Sequence, residues 1–362
     1  MEGEILISIK KGKVIKIMKK YKDITMVEVI IDNKINKAIN YNDITGHVEV
    51  ENDVIINTTA VELNLGTGGY HFIIAILDKF KKNLSNNNGH IMKMRYTPHQ
   101  VRCLTLEENE KFKDIFNGSI SLNEGIYAVG ELHSMLEPLV TSIKYIKPNT
   151  KICYIMTDGG SLPISFSNTV RRLKENYLLD KTITIGNSFG GDYECVNIYS
   201  AIIASKKIIN ADVTIIAMGP GIVGTNTKYG FSGIEQGYIL DGIKKLKGNA
   251  IFIPRISFNE NRSRHIGLSH HNLTVLSDIV NNKVNVIIPK LKKEKNDIIE
   301  RQLISNYIYD KHDVYHSFGE NIKKAFEFYD INPTSMGKNF YENKEYFIGI
   351  GAVGNFICSN YL

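Results

Sequence analysis

The feature that most constrains the fold of this chain is an alternation of apolar and amphipathic runs that begins near residue 123. Short apolar runs, typical of buried strands, are separated by longer runs with helical periodicity. Strands are predicted at 126–129, 152–156, 182–185, 213–217, 250–253 and 284–288, with a weaker one at 314–316. Helices are predicted near 135–146, 165–177, 194–208, 233–247, 270–281, 294–305, 320–328 and 342–358. Because parallel strands are joined by helical crossovers, this order predicts a doubly wound, Rossmann-like α/β domain with a parallel sheet over residues 123–362.

The first 80 residues follow a different pattern, in which short β-rich runs are separated by turn signals. One such signal is Lys11-Gly12-Lys13, and another runs from Asp43 to Gly46. Closely spaced short strands predict a small N-terminal β-barrel over residues 1–80. The strands carry no clear aromatic ladder for stacking bases, so a structural or partner-docking role is favoured over nucleic-acid binding. Residues 81–122, with one predicted helix at 106–116, are interpreted as a connector.

Composition places the chain among ordinary globular proteins, with 43% hydrophobic and 23% charged residues. A net charge of +6 over 362 residues is too small to indicate a nucleic-acid partner. The four cysteines are scattered and form no C-x-x-C pair, which suits a reducing compartment and gives no support to a metal site. The acidic N-terminus lacks a signal-peptide core, and no apolar run is long enough to span a bilayer. We expect a cytoplasmic protein without a membrane partner, and the sequence is compatible with a homo-oligomer.

Glycine and polar residues gather directly after the carboxyl ends of the predicted strands, whereas the opposite ends are plainer. Right-handed crossovers bring the loops after parallel strands to one edge of the sheet, where ligands bind in open α/β folds. The sequence therefore predicts a ligand site at this edge. The loops concerned are Gly130-Glu-Leu-His-Ser134, Thr157-Asp-Gly-Gly-Ser161, Gly186-Asn-Ser-Phe-Gly-Gly-Asp192, the glycine-rich run 219–237 and the segment from Pro254 to His271.

The glycine-rich run contains Gly219-Pro-Gly-Ile-Val-Gly224, which matches the dinucleotide fingerprint G-x-G-x-x-G. That fingerprint requires a helix at once, yet the next helix is expected only from Ser232, where Ser232-Gly-Ile-Glu235 has the form of a capping box. No acidic residue ends the following strand, and a Walker loop would need lysine in place of Thr225. A cradle of backbone N–H groups for phosphate or carboxylate, or a purely structural loop, fits better. The candidate groups are those of Gly219, Gly221, Gly224 and Thr225.

A cationic segment follows the next strand and supplies counter-charge for such an anion. Arg255 and Arg264 are the arginines chosen, because guanidinium forks bind phosphate and carboxylate bidentately. The candidate acid–base residues are Asp158, His133 and His270, while capping accounts for Glu137, Glu235 and Glu260. Further ligand contacts are expected from Gly159, Gly160, Gly191 and Asp192. Convergence of His133, Asp158, Asp192 and His270 on a metal lacks any supporting motif.

Several runs resemble those of a conserved bacterial family. They include Asn57-Thr-Thr-Ala-Val-Glu-Leu-Asn-Leu-Gly-Thr-Gly-Gly-Tyr-His71, Met218-Gly-Pro-Gly-Ile-Val-Gly-Thr225, Phe231-Ser-Gly-Ile-Glu-Gln-Gly237 and Arg264-His-Ile-Gly-Leu-Ser-His-His271. Through these motifs the chain resembles the family called domain of unknown function 3866, and the resemblance covers nearly its whole length. The resemblance implies a cytoplasmic bacterial protein and supplies no activity. One departure is Asn226, which stands where glycine is expected in similar sequences.

These observations favour an enzyme that acts on a small anionic metabolite, which is phosphorylated, carboxylated or nucleotide-like. The alternative is a non-enzymatic sensor or assembly protein that uses the same pocket for a ligand and the barrel for a partner. The sequence assigns no cofactor and no reaction.

Overall fold

A computed structural model describes residues 6–66, 68–77, 89–260 and 262–362. The chain divides into two compact units. The first lies within Met1–Asn88 and Tyr96–Val101, and the second lies within Gly89–Arg95 and Arg102–Leu362. The start of the predicted connector, residues 81–88, lies outside the described residues.

The first unit contains a closed five-stranded barrel in the order β1-β2-β3-β5-β4. Its strands are β1 (Ile9–Lys20), β2 (Ile24–Ile31), β3 (Lys34–Tyr41), β4 (Asp53–Asn57) and β5 (Tyr70–Ile76), with short helices α1 (Asn42–Thr45) and α2 (Thr59–Glu62). All pairings are antiparallel except β3 with β5. The spatial order β4-β1-β2-β3 is a Greek key, as in OB-fold barrels, and valine and isoleucine side chains fill the interior. The predicted small barrel is confirmed.

The predicted turn at Lys11-Gly12-Lys13 is wrong, because β1 runs through it without interruption. Gly12 instead allows two parts of the barrel to approach closely. A Cβ at this position would lie 2.7 Å from Ile56 Cδ1 and 3.0 Å from the Ile30 carbonyl oxygen. Glycine inside a strand often marks such an approach of neighbouring groups rather than a turn.

The second unit contains an eight-stranded parallel sheet in the order β11-β10-β9-β12-β8-β13-β16-β17. The strands after the barrel are β6 (Ile91–Lys93), β7 (Val101–Cys103), β8 (Ile126–Val129), β9 (Ile152–Thr157), β10 (Lys181–Thr184), β11 (Tyr193–Glu194), β12 (Val213–Met218), β13 (Asn249–Phe252), β14 (Ile256–Ser257), β15 (Gly267–Leu268), β16 (Asn285–Pro289) and β17 (Asp313–Ser317). The helices are α3 (Lys113–Asn117), α4 (Leu136–Ile146), α5 (Asn168–Glu175), α6 (Ile198–Lys207), α7 (Glu235–Lys245), α8 (His270–Thr274), α9 (Lys293–Ser305), α10 (Ile308–Lys311), α11 (Asn321–Phe328) and α12 (Lys344–Asn360).

Alternate residues of the central strands enter two separate hydrophobic cores, so helices cover both faces of the sheet. Ile126 and Ala128 of β8 pack with α4, α5, α11 and α12, whereas Tyr127 and Val129 pack with α6, α7 and α9. Burial on both faces explains why these strands are continuous apolar runs. The predicted doubly wound, Rossmann-like α/β fold is confirmed.

The strand order places a topological switch point at β12. The chain leaves β9 towards β10, but β12 lies between β9 and β8 and leads to β13 on the far side of β8. The loops after β9 and β12 therefore separate in opposite directions, which opens a crevice at the carboxyl ends of these strands. A helix long and apolar enough to cross a membrane is absent from the described parts of the chain.

Candidate functional site

A fully buried carboxylate lies just beyond the carboxyl end of β8. Glu131 is the second residue after β8, and its side chain is 0% exposed. Its Oε1 accepts a hydrogen bond of 2.7 Å from His271 Nδ1, and its Oε2 accepts one of 3.1 Å from Asn272 Nδ2. Burial alone would raise the pKa of the Glu131 carboxyl, but the bond from His271 and the charge of Arg255 outweigh it and lower the pKa. Glu131 is therefore ionised and acts only as an acceptor.

Arg255 and Asn272 fix the other side of this carboxylate. Arg255 follows β13, is 8% exposed and has its Nη1 3.6 Å from Glu131 Oε1. The Asn272 side chain links Arg255 to Glu131, because its Nδ2 donates to Glu131 and its Oδ1 accepts a bond of 2.5 Å from the Arg255 backbone N–H. Glu260 lies 3.9 Å from Arg255 Nη2. Both carboxylates are beyond ordinary hydrogen-bond distance of the guanidinium, which can therefore still donate to a ligand.

His271 presents one ring nitrogen without a partner. Because Glu131 can only accept, Nδ1 of His271 carries the hydrogen of their bond. The ring stacks on Phe231 with 4.0 Å between centroids. Its Nε2 is buried and has no hydrogen-bond partner among the described residues. A Cβ on Gly224 would lie 3.9 Å from this nitrogen, so the glycine leaves room beside it. An imidazole oriented by a carboxylate, with its second nitrogen unpaired, has the arrangement of a general base.

Arg255, Glu260 and His271 line a cavity of about 400 Å³. Its lining is dominated by cationic and imidazole side chains, and Glu260 is the acidic residue among them. A cavity of this size suits a small molecule, and its charge favours an anion. The lining residues are Ile222, Val223, Gly224, Thr225, Arg255, Glu260, Arg262, Arg264, His265, His271, Met336 and Lys338.

The imidazoles of His265 and His270 lie beside His271, with ring centroids 5.3 and 4.2 Å from it. Burial, together with the charges of the nearby Arg255 and Arg264 and the neighbouring imidazoles, lowers the pKa of both rings to about 4. Both rings are therefore neutral near pH 7, and the permanent positive charge of the pocket comes from its arginines and Lys338. His265 Nδ1 lies 2.9 Å from Ser269 Oγ, whereas His270 Nδ1 is buried without a partner among the described residues.

The glycine-rich run forms a small hairpin rather than the start of a helix. Thr225 N donates to the Gly230 carbonyl at 2.7 Å, and Val223 N donates to Ser232 Oγ at 3.1 Å. Gly224 pairs across the hairpin with Phe231. Gly224 and Thr225 line the cavity, while Gly219 is buried beneath the loop and Gly221 occupies the exposed bend with a φ of +109°. The Thr225 N–H is thus bonded within the loop.

Two further carboxyl groups belong to Asp158, which follows β9, and Glu235, which begins α7. Glu235 accepts a bond of 2.5 Å from Thr157 Oγ1, and burial, with the charge of Asp158, raises the pKa of Glu235 to about 7. The predicted capping box at Ser232 is wrong, since Ser232 makes no cap bond and the Glu235 carboxyl turns towards the sheet. Asp158 Oδ2 accepts from Asn187 N at 3.2 Å. Gly159 and Gly160 follow it on the exposed loop after β9.

The remaining predicted residues lie away from the cavity. His133 is partly buried at the start of the 3-10 turn before α4, with its Nδ1 3.1 Å from Tyr154 Oη and its Nε2 2.6 Å from Ser167 Oγ. Gly191 and Asp192 lie at the edge of the sheet between β10 and β11. Gly191 N donates to Thr184 Oγ1 at 3.1 Å, and Asp192 pairs with Lys174 at 2.5 Å.

The structure thus brings Arg255, Arg264, Gly224 and Thr225 to one cavity, and His270 lies beside it. Glu131 and His271 were not among the site residues predicted from the sequence, and Glu235 was assigned to a cap. Glu131 lies in the loop after the first predicted strand, but His133 in the same loop was chosen as the candidate acid–base residue. A buried carboxylate directly after a central strand was the available signal.

The comparisons agree with the sequence motifs. A family model described as "Protein of unknown function (DUF3866)" matches residues 37–354. The chain belongs to this family. No curated protein matches the chain. A solved structure, a pantoate-β-alanine ligase from Francisella tularensis in complex with β-γ ATP and β-alanine, is similar over 57% of this chain and 78% of the ligase chain. At 15% identity and a TM-score of 0.13, that similarity carries no argument.

Proposed function

We propose that the protein binds a small phosphorylated or carboxylated metabolite in the cavity between the glycine-rich hairpin and Arg255, and that it acts on this molecule as an enzyme. The observation that supports binding is the concentration of Arg255, Arg262, Arg264 and Lys338 around a cavity lined by one carboxylate. Arginine forks suit the oxygens of phosphate and carboxylate.

The His271–Glu131 pair supports catalysis rather than binding alone. Its Nε2 takes a proton from the bound molecule or from water, while the Nδ1–H bond to Glu131 holds the ring and stabilises the imidazolium that forms. A carboxylate buried behind a histidine whose second nitrogen is unpaired is the arrangement that orients a general base. The nearby guanidinium of Arg255 stabilises negative charge that develops on the substrate.

Anion binding is tested by calorimetric titration of inorganic phosphate and by a thermal-shift screen of phosphorylated and carboxylated metabolites. Loss of a charge-assisted hydrogen bond costs about 1.5–3 kcal/mol, so Arg255→Gln and Arg264→Gln should each weaken binding at least about tenfold. The matched control is Arg301→Gln, which removes one charge from the exposed face of α9. If no anion stabilises the wild-type protein, the proposal is wrong.

Catalysis is tested by turnover of the compounds that bind. His271→Gln should abolish turnover and leave binding within a few-fold of wild type, because glutamine can still bond to Glu131 but cannot accept a proton. Binding without turnover in the wild-type protein would favour a sensor, the alternative that the sequence leaves open.

A further inference from the structure

A second cavity lies on the other side of Arg264. It has a volume of about 550 Å³, and neither His271 nor Glu131 is among the residues that line it. Hydroxyl and amide side chains predominate among its residues. The lining residues are Asn226, Thr227, Lys228, Arg264, His270, Leu273, Thr274, Ser277, Asp278, Ser305, Asn306, Tyr307 and Lys311.

The charged side chains of this second cavity are bonded within the protein. Lys228 lies 2.5 Å from Asp278 Oδ2, which also accepts a bond of 2.9 Å from Tyr229 Oη. Lys311 donates to the Ser277 carbonyl. What remains is a surface of hydroxyl and amide groups next to the ring of Tyr307, which is 67% exposed. Such a combination suits a polyhydroxylated group, because each hydroxyl both donates and accepts and a sugar face packs against an aromatic ring.

Arg264 forms the wall that the two cavities share. Its side chain lines both cavities, and its Nη2 donates to Asn226 Oδ1 at 2.9 Å. The Arg264 Nε and the His270 Nδ1 are buried and have no hydrogen-bond partner among the residues that the structure describes. Buried polar atoms without partners are rare in folded proteins, and a bound molecule is one way in which they are satisfied.

We propose that a single ligand occupies both cavities, with its anionic group between Arg255 and Arg264 and a sugar or similar polyhydroxylated group in the second cavity. This inference rests on the proposed function and narrows its substrate class to sugar phosphates and related phosphorylated polyols. Arg264 contacts both parts of the ligand. The reactive hydrogen or hydroxyl lies near the anionic end, where His271 Nε2 is found.

The test compares inorganic phosphate, ribose 5-phosphate, glucose 6-phosphate and free ribose by calorimetric titration. At least one sugar phosphate should bind about tenfold or more tightly than inorganic phosphate, because it adds contacts in the second cavity. Thr274→Val and Ser277→Ala remove one hydroxyl each from that cavity and should reduce this preference at least about threefold while the affinity for inorganic phosphate stays unchanged. Arg264→Gln should weaken the binding of inorganic phosphate and of the sugar phosphates.

The possible failures are distinct. If inorganic phosphate binds but neither sugar phosphate binds more tightly, the single-ligand inference is overturned and the anion pocket stands. The same holds if free ribose binds independently of phosphate, which would mean two ligands rather than one. If none of the phosphorylated probes binds, the inference is overturned, and the proposed function is overturned as well if no carboxylated compound of the thermal-shift screen stabilises the protein.

Discussion

Replacing Glu235 with glutamine should make the stability of the protein much less sensitive to pH. Glu235 is 8% exposed and keeps its proton more strongly than a free side chain, because burial and the charge of Asp158 raise its pKa from 4.5 to about 7. Between these two values the folded protein holds a proton that the unfolded chain releases. Stability therefore falls as the pH rises from 4.5 to 7, and the full cost is present above 7.

The size of this cost follows from the two pKa values. A tenfold difference in proton affinity is worth about 1.4 kcal/mol, so a carboxyl with a pKa of about 7 in the folded protein and 4.5 in the unfolded chain costs about 3 kcal/mol at high pH. Glutamine is neutral at every pH and can still accept the bond from Thr157 Oγ1. Glu235→Gln should therefore exceed the wild type by only about 1 kcal/mol near pH 5 and by about 3 kcal/mol near pH 9.

The assay is thermal unfolding of both proteins in a series of buffers from about pH 5 to about pH 9. For a unit of this size, 3 kcal/mol corresponds to a rise in Tm of roughly 6–10 °C at the alkaline end. The matched control is Glu327→Gln, whose side chain is 63% exposed beside Lys323 and whose effect should not change with pH. A Tm difference between wild type and Glu235→Gln that is the same at both ends of the series would refute the reasoning.

Three further variants test other parts of the structure. Glu131→Gln removes the buried charge behind the cavity and should lower the free energy of unfolding by about 2–4 kcal/mol; a Tm within 1–2 °C of wild type would contradict this. His133 has a pKa of about 4, against 6.5 ordinarily, so stability is lost as the pH falls from 6.5 to 4, and His133→Gln should reduce that loss in the same Tm series. Gly319→Ala would place a Cβ 1.9 Å from the Ile348 carbonyl oxygen, so it should lower the free energy of unfolding by about 1–3 kcal/mol, seen as a lower Tm. Gly118→Ala is the control and should leave the Tm unchanged, because its Cβ meets nothing closer than 3.9 Å.

The positions of the central strands could be predicted closely because each is buried on both faces. The run predicted at 213–217 is β12 (Val213–Met218), and the run at 126–129 is β8 (Ile126–Val129). The order of the strands could not be predicted, because the insertion of β12 between β9 and β8 depends on the packing of helices that are distant in sequence. The single helix predicted at 106–116 is wrong: the structure has a 3-10 turn at Leu106–Glu108 and a separate α3 at Lys113–Asn117.

The edge of the sheet that holds the candidate cavity could be predicted, but the orientation of individual side chains could not. Glu131 and His133 share one short loop, yet His133, which begins a 3-10 turn, contacts Tyr154 and Ser167, whereas Glu131 accepts a bond from His271 behind the cavity. Ser232 and Glu235 have the spacing of a capping box. In the structure, however, the Ser232 hydroxyl accepts a bond from Val223 in the hairpin, and the Glu235 carboxyl accepts one from Thr157 at the end of β9. Both outcomes depend on contacts far apart in the sequence.

The most direct test of the central claim is a calorimetric titration of inorganic phosphate into the wild-type protein, Arg255→Gln, Arg264→Gln and Arg301→Gln under one buffer and salt condition. If the cavity beside His271 is an anion site, the wild-type and Arg301→Gln proteins bind phosphate with the same affinity, and the other two bind at least about tenfold more weakly. Equal affinity in all four proteins, or no binding by the wild type, would contradict the account.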